Sequence, residues 1–399
     1  MVIGIDSSRA FVSDKTGTEY YSYHLVTEML RLPESKLHTF VLFTRLNAIL
    51  PKELALYSNV IIKPIKFPYL WTQVGLAWET WFGIQLDVLW IPAHTLPVLR
   101  SSRIRTVVTI HGLEYQWLKE YKNVLQKWYL PLSTFYAAKN ADKLIAVSEF
   151  TAKQLIEQLH TTPKKIKAIH EGTLSSSNPV IQFSGKTMEK YGLEWKKYIL
   201  FVGSVQPRKN LVSLITAFAE YAKEEPDQKL VIAGGIGWMA EETLRAPSRL
   251  GIQERVVFTG RVSDLEIKQL YAGAVMYVQP SITEGFGLPV LEAMANGVPV
   301  ISSDGGALSE VVGEAGIIVK ITNQKFSNSQ INDQFAVSLA KAMKRLSDDK
   351  KLQNNLISMG RERVKEFGWD KAAKATLELL VGEGYNSQPI ISNNKFSNS

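Results

Sequence analysis

Short runs of consecutive apolar residues alternate along this chain with stretches in which apolar positions recur every three or four residues. The runs are rich in Val, Ile and Leu and read as strands, and the stretches between them read as helices. Strands that are nearly continuously apolar are expected where both faces of a parallel sheet are covered. In the first half such runs fall at residues 2–6, 39–43, 88–90, 105–110, 143–147 and 167–169. In the second half they fall at 198–202, 229–233, 256–259, 275–278, 300–302 and 317–319. The spacing is too uneven for an eightfold βα barrel, so two open, doubly wound α/β domains are expected. A polar stretch rich in Ser, Gly and Pro, from Glu171 to Pro179, suggests the boundary between them. The last helices are expected at 352–367 and 370–380, and the polar tail 384–399 reads as disordered. The pentapeptide Lys-Phe-Ser-Asn-Ser occurs at 325–329 and again at 395–399, too short to define a repeat architecture.

Composition narrows the function. With 399 residues, 45% of them hydrophobic and 21% charged, the chain can bury two cores. It has no cysteine, which excludes disulfides, thiolate zinc sites and thiol catalysis. The net charge of +8 arises wholly in the first half. Residues 1–200 hold 24 Lys/Arg against 16 Asp/Glu, and residues 201–399 hold 22 of each. That excess is either a soluble basic surface or a footprint for an anionic partner of the first domain. The only tight basic cluster, Lys164, Lys165 and Lys167, comes with no nucleic-acid motif, so nucleic acid is not expected. The start, Met1 to Asp6, lacks a basic leader, and the apolar run 230–240 is short of the ~20 residues of a membrane span. A cytoplasmic location is expected.

The densest chemical signal is Glu284-Gly285-Phe286-Gly287-Leu288-Pro289-Val290-Leu291-Glu292, which follows a strand and opens a helix. The two glycines let backbone N–H groups at the helix start approach an anion. Two carboxylates beside such a site suit hydroxyl groups, for which they act as acceptors. A ligand with phosphates in the middle and hydroxyl-bearing rings at both ends meets both demands, as a nucleotide sugar does. After the strand at 198–202, the loop from Gly203 to Asn210 carries Arg208 and Lys209 where a parallel strand meets its helix, a place suited to neutralising phosphates.

The Glu284/Glu292 pair within its Gly-Phe-Gly turn resembles the retaining glycosyltransferases of family 4. So do the loop from Gly203 to Asn210, Val231 to Gly235, Phe258 to Arg261 and the pair His111-Gly112. The likeness runs over nearly the whole chain and is strongest from about 198 to 319. It implies the GT-B fold, two Rossmann-like domains facing a cleft. Residues 1–175 would form the acceptor side and 176–367 the donor domain, with a helix at 368–383 crossing back to the first domain. Carried over by position, Glu284 holds the donor sugar's hydroxyls and Glu292 the ribose. Arg208 and Lys209 clamp the diphosphate, helped by Gly17 and by the N–H groups of Phe286, Gly287 and Leu288. His111, at the end of the strand 105–110, contacts the donor sugar. His111, Glu284 and Lys209 are the expected catalytic residues. Where some members carry an arginine directly after the strand glycine, this chain has Ser204, which leaves the positive contacts to Arg208 and Lys209.

The resemblance further implies transfer with retention of configuration, polysaccharide biosynthesis as the setting, and no assigned protein nucleophile. No Asp-x-Asp motif is present, so neither a metal nor another cofactor is expected. The Pro207–Asn210 and His111–Tyr115 patterns look most like mannosyltransferases using GDP-mannose. UDP-sugar-dependent glucosyl or N-acetylglucosaminyl transfer, and a nucleotide-sugar 2-epimerase, are the alternatives. The match of Gly235-x-Gly237-x-x-Ala240 to a dinucleotide fingerprint lacks the acid expected about 20 residues on. Trp71, Val74, Trp78, Trp81 and Phe82 fall on one face at helical spacing. This face is expected to pack as core on the first sheet; the alternative is an aromatic face at an anionic membrane that receives a lipid-linked rather than a soluble saccharide acceptor.

Overall fold

A computed structural model describes residues 1–13, 15–67, 70–113, 124–173, 185–321 and 333–382. The tail 384–399, most of the expected boundary, both copies of the pentapeptide, and Glu114 and Tyr115 lie outside the described residues. The first sheet contains β1 (Val2–Asp6), β2 (Thr39–Arg45), β3 (Val60–Ile65), β4 (Val88–Ile91), β5 (Arg105–Ile110), β6 (Lys143–Ala146) and β7 (Ile166–Ala168). The second contains β8 (Tyr198–Val202), β9 (Lys229–Ala233), β10 (Val256–Gly260), β11 (Met276–Gln279), β12 (Val300–Ser303) and β13 (Gly316–Val319). Their orders are β3-β2-β1-β4-β5-β6-β7 and β10-β9-β8-β11-β12-β13, with every neighbouring pair parallel. Each expected strand is present within a residue or two. The unexpected one is β3, an edge strand carrying Lys63 and Pro64. Proline and charge break an apolar run, and both are tolerated where one side of a strand has no partner.

Each sheet has one switch point where the winding reverses, β1 beside β4 and β8 beside β11. Ligands of open parallel sheets sit beyond the carboxyl ends of the strands at such points. The central strands are sealed: Ile199, Leu200 and Phe201 of β8 and Val107 and Val108 of β5 are fully buried.

The chain crosses between the domains twice, and the two crossings touch. Thr173 and Gly368 form a parallel bridge, and the Thr173 N–H donates to the Phe367 carbonyl at 3.0 Å. Beyond it the helix Trp369–Val381 packs on the first-domain helix Gly17–Arg31. There the Trp369 indole stacks on His24 at 5.4 Å and meets the Tyr21 ring edge-on at 5.9 Å. Among the described residues no helix is long and apolar enough to cross a membrane.

The aromatic face at 71–82 departs from the core expectation. Trp71 is buried, but Trp78, Trp81 and Phe82 are 57%, 59% and 69% exposed, and Val74 is exposed as well. Trp71–Leu76 is a π-helical turn that runs into the α-helix Ala77–Phe82, and the wider turn sets Trp71 apart from the four residues that follow it on the exposed face. Gly75, Leu76, Ala77 and Thr80 face inward instead.

Candidate active site

The loops leaving β8 and β11 meet at the second switch point. The Ile282 N–H donates to the Arg208 carbonyl at 2.8 Å, and Asn210 Nδ2 donates to the Pro280 carbonyl at 3.2 Å. This pairing brings three charged side chains together in the interior. Glu284 Oε1 accepts from Lys209 Nζ at 2.5 Å, Ser281 Oγ at 2.6 Å and Gln279 Nε2 at 3.0 Å. Glu284 Oε2 accepts from Arg208 Nη1 at 2.7 Å, and that same nitrogen reaches the Thr283 carbonyl at 3.2 Å. Burial alone would raise the Glu284 pKa. Arg208 and Lys209, with the Ser281 hydroxyl, outweigh it and hold the carboxyl down at about 2. The cluster therefore carries one net positive charge at neutral pH.

Beside it the turn runs into the helix Leu288–Ala295. Gly287, its N-cap, sits at φ +122°, a conformation that a residue with a Cβ rarely adopts. Among the described residues, no hydrogen-bond partner is found for the N–H groups of Phe286, Gly287 and Leu288. The Phe286 ring is buried against His170 and Phe367, at 5.8 and 5.7 Å, so this residue has only its backbone to offer a ligand. Glu292 projects from the same helix and accepts from the Tyr271 hydroxyl at 2.9 Å. Burial, aided by the Asp264 charge and opposed by that hydrogen bond, raises its pKa.

The first domain closes directly onto this turn. Gly285 lies against the His111 backbone so closely that a methyl group there would overlap the His111 carbonyl oxygen. The Gly285 carbonyl accepts from Ser148 Oγ at 2.7 Å and Thr151 Oγ1 at 3.3 Å. Ser148 is also the N-cap of the helix Glu149–Leu159, as its place after β6 suggests. The His111 ring is fixed within its own domain, with Nδ1 3.1 Å from Glu171 Oε1 and Nε2 2.9 Å from the Pro92 carbonyl. The His111 N–H reaches His94 Nε2 at 3.4 Å. Burial, with the charges of His111 and Arg9, pushes His94 down to about 3, leaving it a neutral acceptor.

Of the expected site residues, Arg208, Lys209 and Glu284 form one cluster, and Phe286, Gly287, Leu288 and Glu292 flank it on the following helix. His111 joins through its backbone at Gly285. Gly17 stands apart from that network: it opens the helix Gly17–Arg31 on an exposed loop, with open space where a side chain would be. Four contributors escaped the sequence reading. Gln279 and Ser281 brace Glu284, and a glutamine ending an otherwise apolar buried strand was a usable signal. Glu171 sits in what read as a linker. Glu310, in the second domain, accepts from the N–H groups of Glu149 (2.8 Å) and Phe150 (3.1 Å) and pairs with His170 Nε2 at 2.6 Å.

Glu310 thus caps a first-domain helix from across the cleft. Burial opposes its ionisation, but the His170 bond and the two backbone donors win and lower its pKa. A depressed carboxyl stabilises the contact above its ordinary titration range, and the contribution is lost as pH falls through the lowered value. Glu310→Gln is expected to lower kcat/KM about tenfold at neutral pH with donor affinity near wild type, since a charge-assisted cap is worth roughly 1–2 kcal/mol. The variant should also flatten the acid limb of the wild-type kcat/KM profile, and steady-state kinetics across pH checks both.

Two parallel sheets with a cationic cluster at the switch point of the second define a two-domain, doubly wound α/β architecture with a candidate anion site. Comparison with known proteins makes the class specific. Residues 184–363 match the model "Glycosyl transferases group 1" and residues 16–173 match "Glycosyltransferase Family 4". The chain is 30% identical over 278 residues to O-antigen chain mannosyltransferase B of Escherichia coli, covering 68% of this chain and 69% of that one. It is 30% identical over 252 residues to a D-inositol 3-phosphate glycosyltransferase of Streptomyces bingchenggensis, spanning 60% of this chain but only 53% of the relative. Among solved structures, sucrose-phosphate synthase from Thermosynechococcus elongatus superposes with a TM-score of 0.71 at 21% identity, covering 95% of this chain and 98% of that one. Anabaena HepE in complex with UDP and glucose gives 0.67 at 16% identity, covering 95% and 99%. The chain belongs to the family 4 glycosyltransferases and has their GT-B fold.

Proposed function

We propose that this glycosyltransferase moves a hexose, mannose first among the candidates, from a nucleoside-diphosphate sugar to a saccharide or lipid-linked acceptor. The transfer would proceed with retention and without a metal. The observation that carries the reading is the cluster of Arg208, Lys209 and Glu284 beside the N–H groups of Phe286, Gly287 and Leu288 at a helix start. Cleavage of the anomeric C–O bond leaves its electron pair on the diphosphate. Two cations and a helix start, fixed in advance in a water-poor site, stabilise that charge as it develops. The acceptor oxygen forms the new bond to the anomeric carbon and gives its proton to the departing phosphate oxygen. Glu284 receives donor-sugar hydroxyls and Glu292 the ribose. The His111 stretch, together with Gly17, closes over the sugar and diphosphate from the acceptor side. Setting of use is polysaccharide biosynthesis at the cytoplasmic side.

Mannose is favoured by the likeness to O-antigen mannosyltransferases. The second reading, a UDP-sugar donor, is favoured by the structural likeness to HepE, which was seen with UDP and glucose. Thermal-shift titration with GDP-mannose, UDP-glucose and UDP-N-acetylglucosamine separates them, because a bound ligand raises the melting temperature by linkage. GDP-mannose is expected to give the largest shift, unchanged by EDTA. Stabilisation by UDP-sugars alone would overturn the mannose assignment, and stabilisation by none would overturn the donor site. Donor conversion without any acceptor would point to the epimerase instead.

A further inference from the structure

Among its described residues the first domain carries an exposed apolar surface. On the segment 70–82, Leu70 is 66% exposed, alongside Trp78, Trp81 and Phe82. Leu99 on the following loop is 75% exposed, and Leu132 on the helix Val124–Asn140 is 62% exposed. Hydrogen bonds join these segments into one surface. Trp81 Nε1 donates to the Leu99 carbonyl at 3.3 Å, and the Val98 N–H donates to Gln73 Oε1 at 2.9 Å. The Tyr136 hydroxyl reaches the Val98 carbonyl at 3.3 Å. The Trp78 and Phe82 rings lie 4.3 Å apart, so the aromatic group presents itself as a unit.

Among the described residues of the same stretch, basic side chains outnumber acidic ones. Residues 60–113 carry Lys63, Lys66, Arg100, Arg103 and Arg105 against Glu79 and Asp87 only. Glu79 lies 3.8 Å from Lys63, and Asp87 accepts the Val2 N–H at 2.7 Å. Lys66, Arg103 and Lys139 are exposed. Lys139 Nζ sits over the Phe135 ring at 5.7 Å, at the edge of the same surface.

From this we propose that the 70–99 surface docks the enzyme on an anionic lipid bilayer, with the indole and phenyl rings at the headgroup boundary and the lysine and arginine rim on the lipid phosphates. Tryptophan and phenylalanine beside basic side chains suit that boundary, the apolar rings entering it while the charged heads of Lys and Arg stay wet. A basic rim near an anionic leaflet adds attraction with each Lys or Arg, and salt screens it. A second copy of the chain is the poorer occupant. A twofold contact places the same patch against itself, and here that sets one basic rim against another. The inference rests on the proposed acceptor chemistry only in giving a lipid-linked acceptor a place to be met. Lipid binding is read without transfer, so either can fail alone.

The test is flotation of the full chain with vesicles of phosphatidylcholine alone, or mixed with phosphatidylglycerol, at low and high salt. Binding is expected only to the anionic vesicles, falling at least about tenfold at high salt. Trp78→Ser combined with Phe82→Ser should lose about tenfold or more while keeping the wild-type circular dichroism and nucleotide thermal shift. Lys66→Glu with Arg103→Glu, which leaves the aromatic group intact, should lose a similar factor on the order of tenfold. No flotation at low salt would overturn the proposal, as would binding indifferent to both pairs of substitutions. A concentration-dependent dimer abolished by the aromatic pair, without vesicle binding, would assign the surface to a second copy instead.

Discussion

Glu284→Gln is expected to lower kcat about 10²–10³-fold without weakening the binding of nucleoside diphosphate. The neutral amide removes the charge that offsets Arg208 and Lys209 and turns an N–H₂ group toward donors that already crowd the site. Lys209, which is buried, and Arg208, which is half-buried, lose the carboxylate they both pair with, and removing one partner of a buried pair costs about 3–5 kcal/mol. A diphosphate restores part of that balance. Its stabilising shift in a thermal melt should therefore be larger in the variant than in the wild type. Single-turnover kinetics paired with diphosphate titration reads the split. Wild-type turnover in the variant, or diphosphate binding weakened in step with kcat, would remove Glu284 from the centre of the site. The acid response follows the same sign. With the folded carboxyl held at about 2, its stabilisation is complete above the ordinary carboxylate range and is lost as pH falls toward that value.

Gly285→Ala should cost transfer about as much, for a mechanical reason. The added methyl overlaps the His111 carbonyl oxygen and pushes the turn away from Ser148 and Thr151, so the domains cannot close. Loss of a close, oriented approach between the reacting groups is expected to lower kcat/KM about 10²-fold. Donor affinity should stay near wild type, because Arg208, Lys209, Glu284 and Glu292 all belong to the second domain. Gly285 is not among the glycines at positive φ, so the fold should tolerate alanine. Small-angle scattering should show the variant remaining extended with donor bound. A variant that compacts and turns over normally would mean that this contact plays no part in the reaction.

The sheets were readable because strands covered on both faces must be almost wholly apolar, and twelve such runs stand out against their neighbours. The edge strand β3 was not, since with one side unpaired it is free to carry Lys63 and Pro64. In the site, Glu284, Arg208 and Lys209 were legible from their place after strands β11 and β8. What the sequence could not convey was that the carboxylate and the two cations bind each other. That pairing depends on β8 and β11 being neighbours, although 73 residues lie between the end of β8 and the start of β11. Glu171 and Glu310 stayed hidden for a related reason. Their partners, His111 and the start of the helix Glu149–Leu159, lie 60 and about 160 residues away in sequence. Helical spacing did put Val74, Trp78, Trp81 and Phe82 on one face, but spacing alone does not say which face meets the core, and Gly75, Leu76, Ala77 and Thr80 took that side.

The doubled crossing at Thr173 and Gly368 bears on how the enzyme moves. A single linker would let one lobe swivel freely about the other. Two crossings joined side by side by one bridge, with the helix Trp369–Val381 packed on the first lobe, would act as the two pins of a door. Rotation of one lobe on the other would then be confined to an axis through that bridge. Gly285 would return to the same seat on His111 on each closure, with no search over orientations.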